Sequence, residues 1–182
     1  MALEIEKKYR LARDEWEALR GRLRDAGAAF AGDDFEENTL YTGGMLGAIS
    51  GAVLRLRRVN GRAVLTYKER LPTTEAIKRQ REEETEVADA EVMAAILEAL
   101  GYRPALVYEK RRATWHLDAA EIVLDELPFG WFVEIEGAEA AIIAAEKILQ
   151  LDKAAAEHAT YPGLTAQHGA RQGELVAARF VE

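Results

Sequence analysis

The 182-residue chain contains no cysteine. That absence excludes disulfides, thiolate zinc sites, iron–sulfur clusters and a cysteine nucleophile, and it suits a reducing compartment. Histidine is scarce and scattered, at His116, His158 and His168. Positive charge is in the minority: 24 Lys and Arg against 32 Asp and Glu leave a net charge of −8. A nucleic-acid binder or an anionic-membrane protein carries the opposite balance. Long apolar runs are missing too. The longest, Ala138 to Leu149, is broken by Glu139 and Glu146 and falls well short of the roughly 18 apolar residues of a membrane span. The opening residues Met1 to Lys8 show no basic stretch followed by an apolar one, which predicts no secretory signal. These absences predict a cytoplasmic protein without nucleic-acid or membrane partners. No repeat, linker or low-complexity block divides the chain, so residues 1–182 are expected to form a single domain.

The remaining sequence alternates strand and helix signals. Residues 2–10 follow a period of two, with Leu3, Ile5 and Tyr9 on one face and Glu4, Glu6, Lys8 and Arg10 on the other. A helix is predicted over 14–26 from Trp16, Leu19 and Leu23, with Gly27 as its stop. A short strand is expected over 36–42, then a glycine-rich loop, then strands over 53–59 and 63–68. Between those two lies Asn60-Gly61, a strong hairpin signal. Residues 71–80 read as a loop and 82–87 as a strand. A second helix over 89–100 would bury a stripe of Val92, Ile96 and Leu100. Strands are expected near 105–117, 120–126 and 131–137, the last two joined through Pro128 and Gly130. A third helix would cover 138–151 and a short one 153–158, followed by a turn at Tyr161-Pro162-Gly163. Residues 169–182 read as disorder or a last helix. About eight strands joined mostly by short turns favour an antiparallel sheet, which commonly closes into a barrel. The expected fold class is therefore α+β: a closed eight-stranded antiparallel barrel with helices outside.

The polar faces of these strands carry the chemistry. Glu4, Glu6 and Lys8 share a face; so do Arg55 with Arg57, Thr66 with Lys68, Glu84 with Glu86, Lys110 with Arg112, and Glu134 with Glu136, while Asp125 lies on the polar side of its strand. A single alternating strand is usually a solvated sheet face. Carboxylate pairs segregated from base pairs by strand are less ordinary. If helices cover the apolar faces, the charges line an interior, where they are costly unless paired or bound to ions. Carboxylates without cysteine favour a hard divalent cation, Mg²⁺ or Mn²⁺. Arginines and lysines on neighbouring strands favour phosphate oxygens. Together they point to a metal–polyphosphate ligand.

Glu4-Ile5-Glu6-Lys7-Lys8 resembles the ExExK signature of the CYTH superfamily, also called triphosphate tunnel metalloenzymes, which includes class IV adenylyl cyclases and mammalian thiamine triphosphatases. In chain order, Leu54-Arg55-Leu56-Arg57, Leu65-Thr66-Tyr67-Lys68, Glu84-Thr85-Glu86, Tyr108 to Arg112, Val123-Leu124-Asp125 and Phe132 to Glu136 are similar to its later strands. The His-Phe pair that precedes ExExK in some cyclases is missing. The resemblance implies an eight-stranded tunnel and a divalent cation held by Glu4, Glu6, Asp125, Glu134 and Glu136. It implies phosphates gripped by Lys8, Arg55, Arg57, Lys68, Lys110 and Arg112, and catalysis carried by Glu4, Glu6 and Lys8. Glu84 and Glu86 would hold a second metal, orient water or pair with the bases. The expected partner is a small-molecule triphosphate or polyphosphate. The leading activity is metal-dependent triphosphate hydrolysis. Adenylyl cyclase activity is the alternative, and a non-catalytic polyphosphate- or nucleotide-binding module a further one. Relatives dimerise, and a homodimer is left open here.

Overall fold

The computed structural model describes residues 5–49, 51–71 and 79–181. Its elements run β1 (Glu6–Leu11), α1 (Arg13–Asp25), β2 (Ala29–Gly43), β3 (Val53–Val59), β4 (Arg62–Leu71), β5 (Arg79–Val87), α2 (Ala90–Ala99), β6 (Tyr102–Leu117), β7 (Ala120–Leu127), β8 (Gly130–Glu136), α3 (Glu139–Ile148), α4 (Tyr161–His168), β9 (Ala170–Gln172) and β10 (Leu175–Ala178). The fold is α+β, with a large antiparallel sheet and four α-helices among the described residues. β10 departs from the rule by pairing β6 in parallel. No described helix is long and apolar enough to cross a membrane.

The contacts group into two compact units. The first comprises Met1–Phe35, Lys110–Thr160 and Phe180–Glu182; the second comprises Glu36–Glu109 and Tyr161–Arg179. In the first, β1 pairs β8, β8 pairs β7, and β7 pairs the C-terminal part of β6, all antiparallel. One face of this ladder carries Tyr9, Trp115, Ile122, Leu124, Val133 and Ile135, which pack with Trp16, Leu19 and Leu23 of α1 and with Ile142 and Leu149 around α3. The three α1 residues are the predicted stripe. Directly paired residues of an antiparallel ladder project to the same side. The opposite face is therefore set by the register: Glu6 opposite Glu136, Lys8 opposite Glu134, and Arg112 opposite Asp125.

In the second unit β2, β3, β4 and β5 pair in sequence order. The β3–β4 turn is the predicted Asn60-Gly61, with φ of 47° and 76°. Two positive φ values fit the turn type that asparagine–glycine favours. Tyr41, Leu54, Leu56 and Ala63 form the apolar face, covered by Leu97, Met93, Ala94 and Ala90 of α2. The stripe expected to be buried, Val92, Ile96 and Leu100, instead stays 55%, 46% and 65% exposed. Both stripes are apolar at helical spacing, so periodicity alone could not choose between them.

Further differences concern element bounds and types. β2 starts at Ala29, seven residues before the expected start at 36, and β4 and β5 extend to Leu71 and from Arg79, into the expected loop. Residues 153–158 form no helix: Ala156 makes a bridge to Tyr9, and the Glu157 N–H donates to the Lys8 carbonyl at 2.7 Å. The backbone there is spent on β1 rather than on itself. The expected turn at 161–163 opens α4. The segment expected to be disordered or helical holds β9 and β10, with Val176, Ala177 and Ala178 buried. Each unit's ladder is open as described. The single closed barrel expected from the sequence is not found among the described pairings.

Candidate functional site

In the first unit part of the charged face is buried, while Glu6 is exposed. Lys8, Lys110, Asp125 and Glu134 are all buried. Asp125 has no exposed surface and accepts from Arg112 in bidentate fashion, Nε to Oδ1 at 2.7 Å and Nη2 to Oδ2 at 2.6 Å. Lys110 Nζ lies 3.7 Å from the same carboxylate. Arg112 Nη2 also donates to Glu134 Oε2 at 2.7 Å, and Lys8 Nζ lies 3.2 Å from Glu134 Oε1. Lys8 Nζ also donates to the Ala159 carbonyl at 3.3 Å. Alternation on β1, β6, β7 and β8 thus builds a cationic trio threaded through two buried acids.

Beside this network three carboxylates converge. Glu6, Glu134 and Glu136 each offer an oxygen, and these oxygens lie within 4.8 Å of one another. Among the described residues no other comparable group of acids or histidines occurs. Burial first, and then the charge of Glu6, push the Glu136 carboxyl up to about 6 against the opposing pull of Arg112. Crowded carboxylates of this kind are relieved either by a proton or by a cation. The all-oxygen donor set, without sulfur or imidazole, fits a hard divalent ion. Asp125, expected in the same group, has both oxygens on Arg112 instead. Glu4 lies outside the described residues.

The second unit carries the other bases. Arg55 Nη2 donates to Thr66 Oγ1 at 3.3 Å, and Thr66 donates to Glu84 Oε2 at 2.8 Å. Lys68 Nζ lies 2.8 Å from Glu82 Oε2. Glu84 and Glu86 have side chains 47% and 72% exposed; Glu84 lies 3.8 Å from Arg55, and Glu86 lies 3.7 Å from Arg62. They join no carboxylate group. Arg57 Nε is 3.6 Å from Glu36 Oε2. Burial pushes the Tyr108 hydroxyl up to about 12, countered by the neighbouring Arg55 and Arg57 and reinforced by Glu36, so it stays protonated and bonded to Arg55. Glu36, Asn38 and Tyr108 were not singled out from the sequence. The available signal was the two-residue spacing of Glu36 and Asn38, the same spacing as every charged pair above.

The family model for the CYTH domain matches residues 2–160. No curated protein matches the chain. Among solved structures, the PH1012 protein of Pyrococcus horikoshii is 26% identical, with a TM-score of 0.71 over 87% of this chain and 97% of its own. A candidate adenylate cyclase of Vibrio parahaemolyticus is 23% identical, with a TM-score of 0.67 over 87% of this chain and 94% of its own. A candidate adenylyl cyclase of Hippeastrum, described as having a dominant triphosphatase activity, is 20% identical, with a TM-score of 0.66 over 87% of this chain and 93% of its own. These last two likenesses concern the fold. With its family model spanning most of its length, and with charged strands in the family's order, the chain belongs to the CYTH family.

Proposed function

We propose that the protein is a divalent-metal-dependent hydrolase of triphosphates, inorganic tripolyphosphate or an organic triphosphate. The observation that carries this reading is the convergence of Glu6, Glu134 and Glu136 within 4.8 Å, next to Lys8 and Arg112. In the proposal those three carboxylates hold Mg²⁺ or Mn²⁺, joined by Glu4. When bound, the ion neutralises phosphate oxygens and lowers the pKa of its water. Phosphoryl transfer demands positioning and charge neutralisation rather than covalent chemistry, and the chain's own bases supply both. Lys8, Lys110 and Arg112, and likewise Arg55, Arg57 and Lys68, are each assigned to phosphate oxygens. Asp125 is assigned to holding Arg112, together with Glu134. The Hippeastrum protein of the same fold, described as having a dominant triphosphatase activity, supports the order of the two activities.

The test is direct. The protein is incubated with Mg²⁺ or Mn²⁺ and, in turn, tripolyphosphate, thiamine triphosphate and ATP, and phosphate, pyrophosphate and cyclic AMP are assayed. Metal-dependent phosphate release is the expected result. Cyclic AMP with pyrophosphate would replace hydrolysis by cyclisation, and binding without product would leave a polyphosphate-binding module. No binding of any triphosphate would end the reading.

A further inference from the structure

β2 presents a buried polar pair. Glu36 is 3% exposed and Asn38 has no exposed surface. They sit two residues apart and so share a face. Asn38 Nδ2 donates to Glu36 Oε2 at 3.1 Å. Asn38 Oδ1 has no hydrogen-bond partner. Buried side-chain polar atoms are nearly always bonded, so a fully buried orphan acceptor calls for a reason.

The register supplies one. Asn38 lies directly opposite Arg57 on the β2–β3 ladder, so the two side chains rise from one rung on one face. Arg57 carries the complementary orphan: its Nε is buried without a hydrogen bond, and its 3.6 Å separation from Glu36 Oε2 is ionic only. Arg55, two residues away, also has a buried Nε without a hydrogen bond, but differs in two respects: it lies opposite Leu40 rather than an amide, and its guanidinium is bonded elsewhere. It is tied to Thr66 at 3.3 Å and to the Tyr108 hydroxyl. One arginine of the pair is therefore fixed by hydrogen bonds, while the other is held by charge, with an unused donor beside an unused acceptor.

We propose that Asn38 is a positioning residue for Arg57. Its amide, oriented by Glu36, presents Oδ1 as the acceptor that the Arg57 Nε–H takes up when a triphosphate oxygen draws in the terminal nitrogens of the guanidinium. The planar fork makes this geometry binding: fixing the Nε edge fixes the direction of both terminal nitrogens. The inference rests on the triphosphate reading above.

The experiment is a double-mutant cycle on the full chain, with Mg²⁺ and sodium tripolyphosphate as the calorimetric titrant. Asn38→Ala should weaken tripolyphosphate binding roughly tenfold, the scale of a hydrogen bond to a charged group, and leave Mg²⁺ binding unchanged. In an Arg57→Ala background the same substitution should cost nothing further. A loss of equal size in both backgrounds would overturn the proposal, as would equal weakening of tripolyphosphate and Mg²⁺. Asn38→Leu keeps the volume and removes the acceptor, and it carries the same cycle should Asn38→Ala not fold. Wild-type protein that binds tripolyphosphate, with an unchanged constant for Asn38→Ala, sinks this proposal alone. Wild-type protein that binds no tripolyphosphate sinks the triphosphate reading and this proposal together.

Discussion

Glu136 and Asp125 stand on the same charged face, yet the structure gives them opposite consequences. Asp125 has both oxygens on Arg112 and is fully buried. Removing one partner of such a pair strands a buried charge, which costs about 3–5 kcal/mol. Asp125→Ala should lose stability on that scale in denaturant unfolding, whether or not metal is present; a variant as stable as the parent would show that Glu134 alone suffices to hold Arg112. Glu136 lies among like charges, and its carboxyl is raised from 4.5 to about 6. The folded chain therefore holds that proton more tightly than the unfolded chain. Its contribution is fully present below about 4.5 and is lost as pH rises through about 6. Glu136→Gln should raise the metal-free melting temperature at pH 7.5, leave it unchanged at pH 4, and abolish metal-dependent turnover. For the parent protein, the same proton must leave before a cation binds. Mg²⁺ affinity should then tighten from pH 5 to 7 and level off above, measured by calorimetry at fixed ionic strength. Affinity that is flat over this range would remove Glu136 from the ion.

At the scale of elements, what could be read in the sequence depended on whether the signal was local. The β3–β4 hairpin was legible because Asn60-Gly61 dictates its own turn, and α1 because a single apolar stripe leaves one way to pack. β2 was half missed because Ala29 to Asp34 holds a glycine and two aspartates, poor strand formers that a neighbouring strand makes extended. α2 was found, but its buried face was misassigned because two apolar stripes compete. Parallel pairing of β10 with β6 joins residues about seventy positions apart, and no local pattern announces it. The candidate site followed the same division. Lys8, Arg112 and Glu134 could be named from period-two spacing, whereas the division of acids between Arg112 and the convergent trio depends on long-range register. The α2 cap offers a local check. Asp89 Oδ1 accepts from the N–H groups of Glu91 and Val92 at 2.9 and 3.0 Å, so Asp89→Ala should cost about 1 kcal/mol. Unchanged stability in thermal or denaturant unfolding would mean that α2 is held by Leu97 and its neighbours alone.

Over the whole molecule the net charge of −8 is an average that conceals its own arrangement. Buried bases and acids are paired strand by strand, so the outer field and the enclosed set answer to different partners. A net charge of −8 weighs against duplex DNA and anionic lipid at distances comparable to the Debye length, about 10 Å at ordinary salt. In the proposed reading a small polyphosphate would meet individual arginines and lysines instead, at hydrogen-bond distance, where net charge has little say. A cation on Glu6, Glu134 and Glu136 would further turn the local balance toward an anion. A ligand that binds only the folded chain, at a hundredfold excess over its dissociation constant, adds about 2.7 kcal/mol, which for a chain of this size is roughly 5–10 °C. Tripolyphosphate with Mg²⁺ should produce a rise of that order in calorimetric melting, and a smaller one when EDTA replaces the metal. Duplex DNA and anionic vesicles at the same phosphate concentration should produce none. An equal rise with DNA would mean that the bases are read from outside, and that the charge separation between strands does not select the ligand.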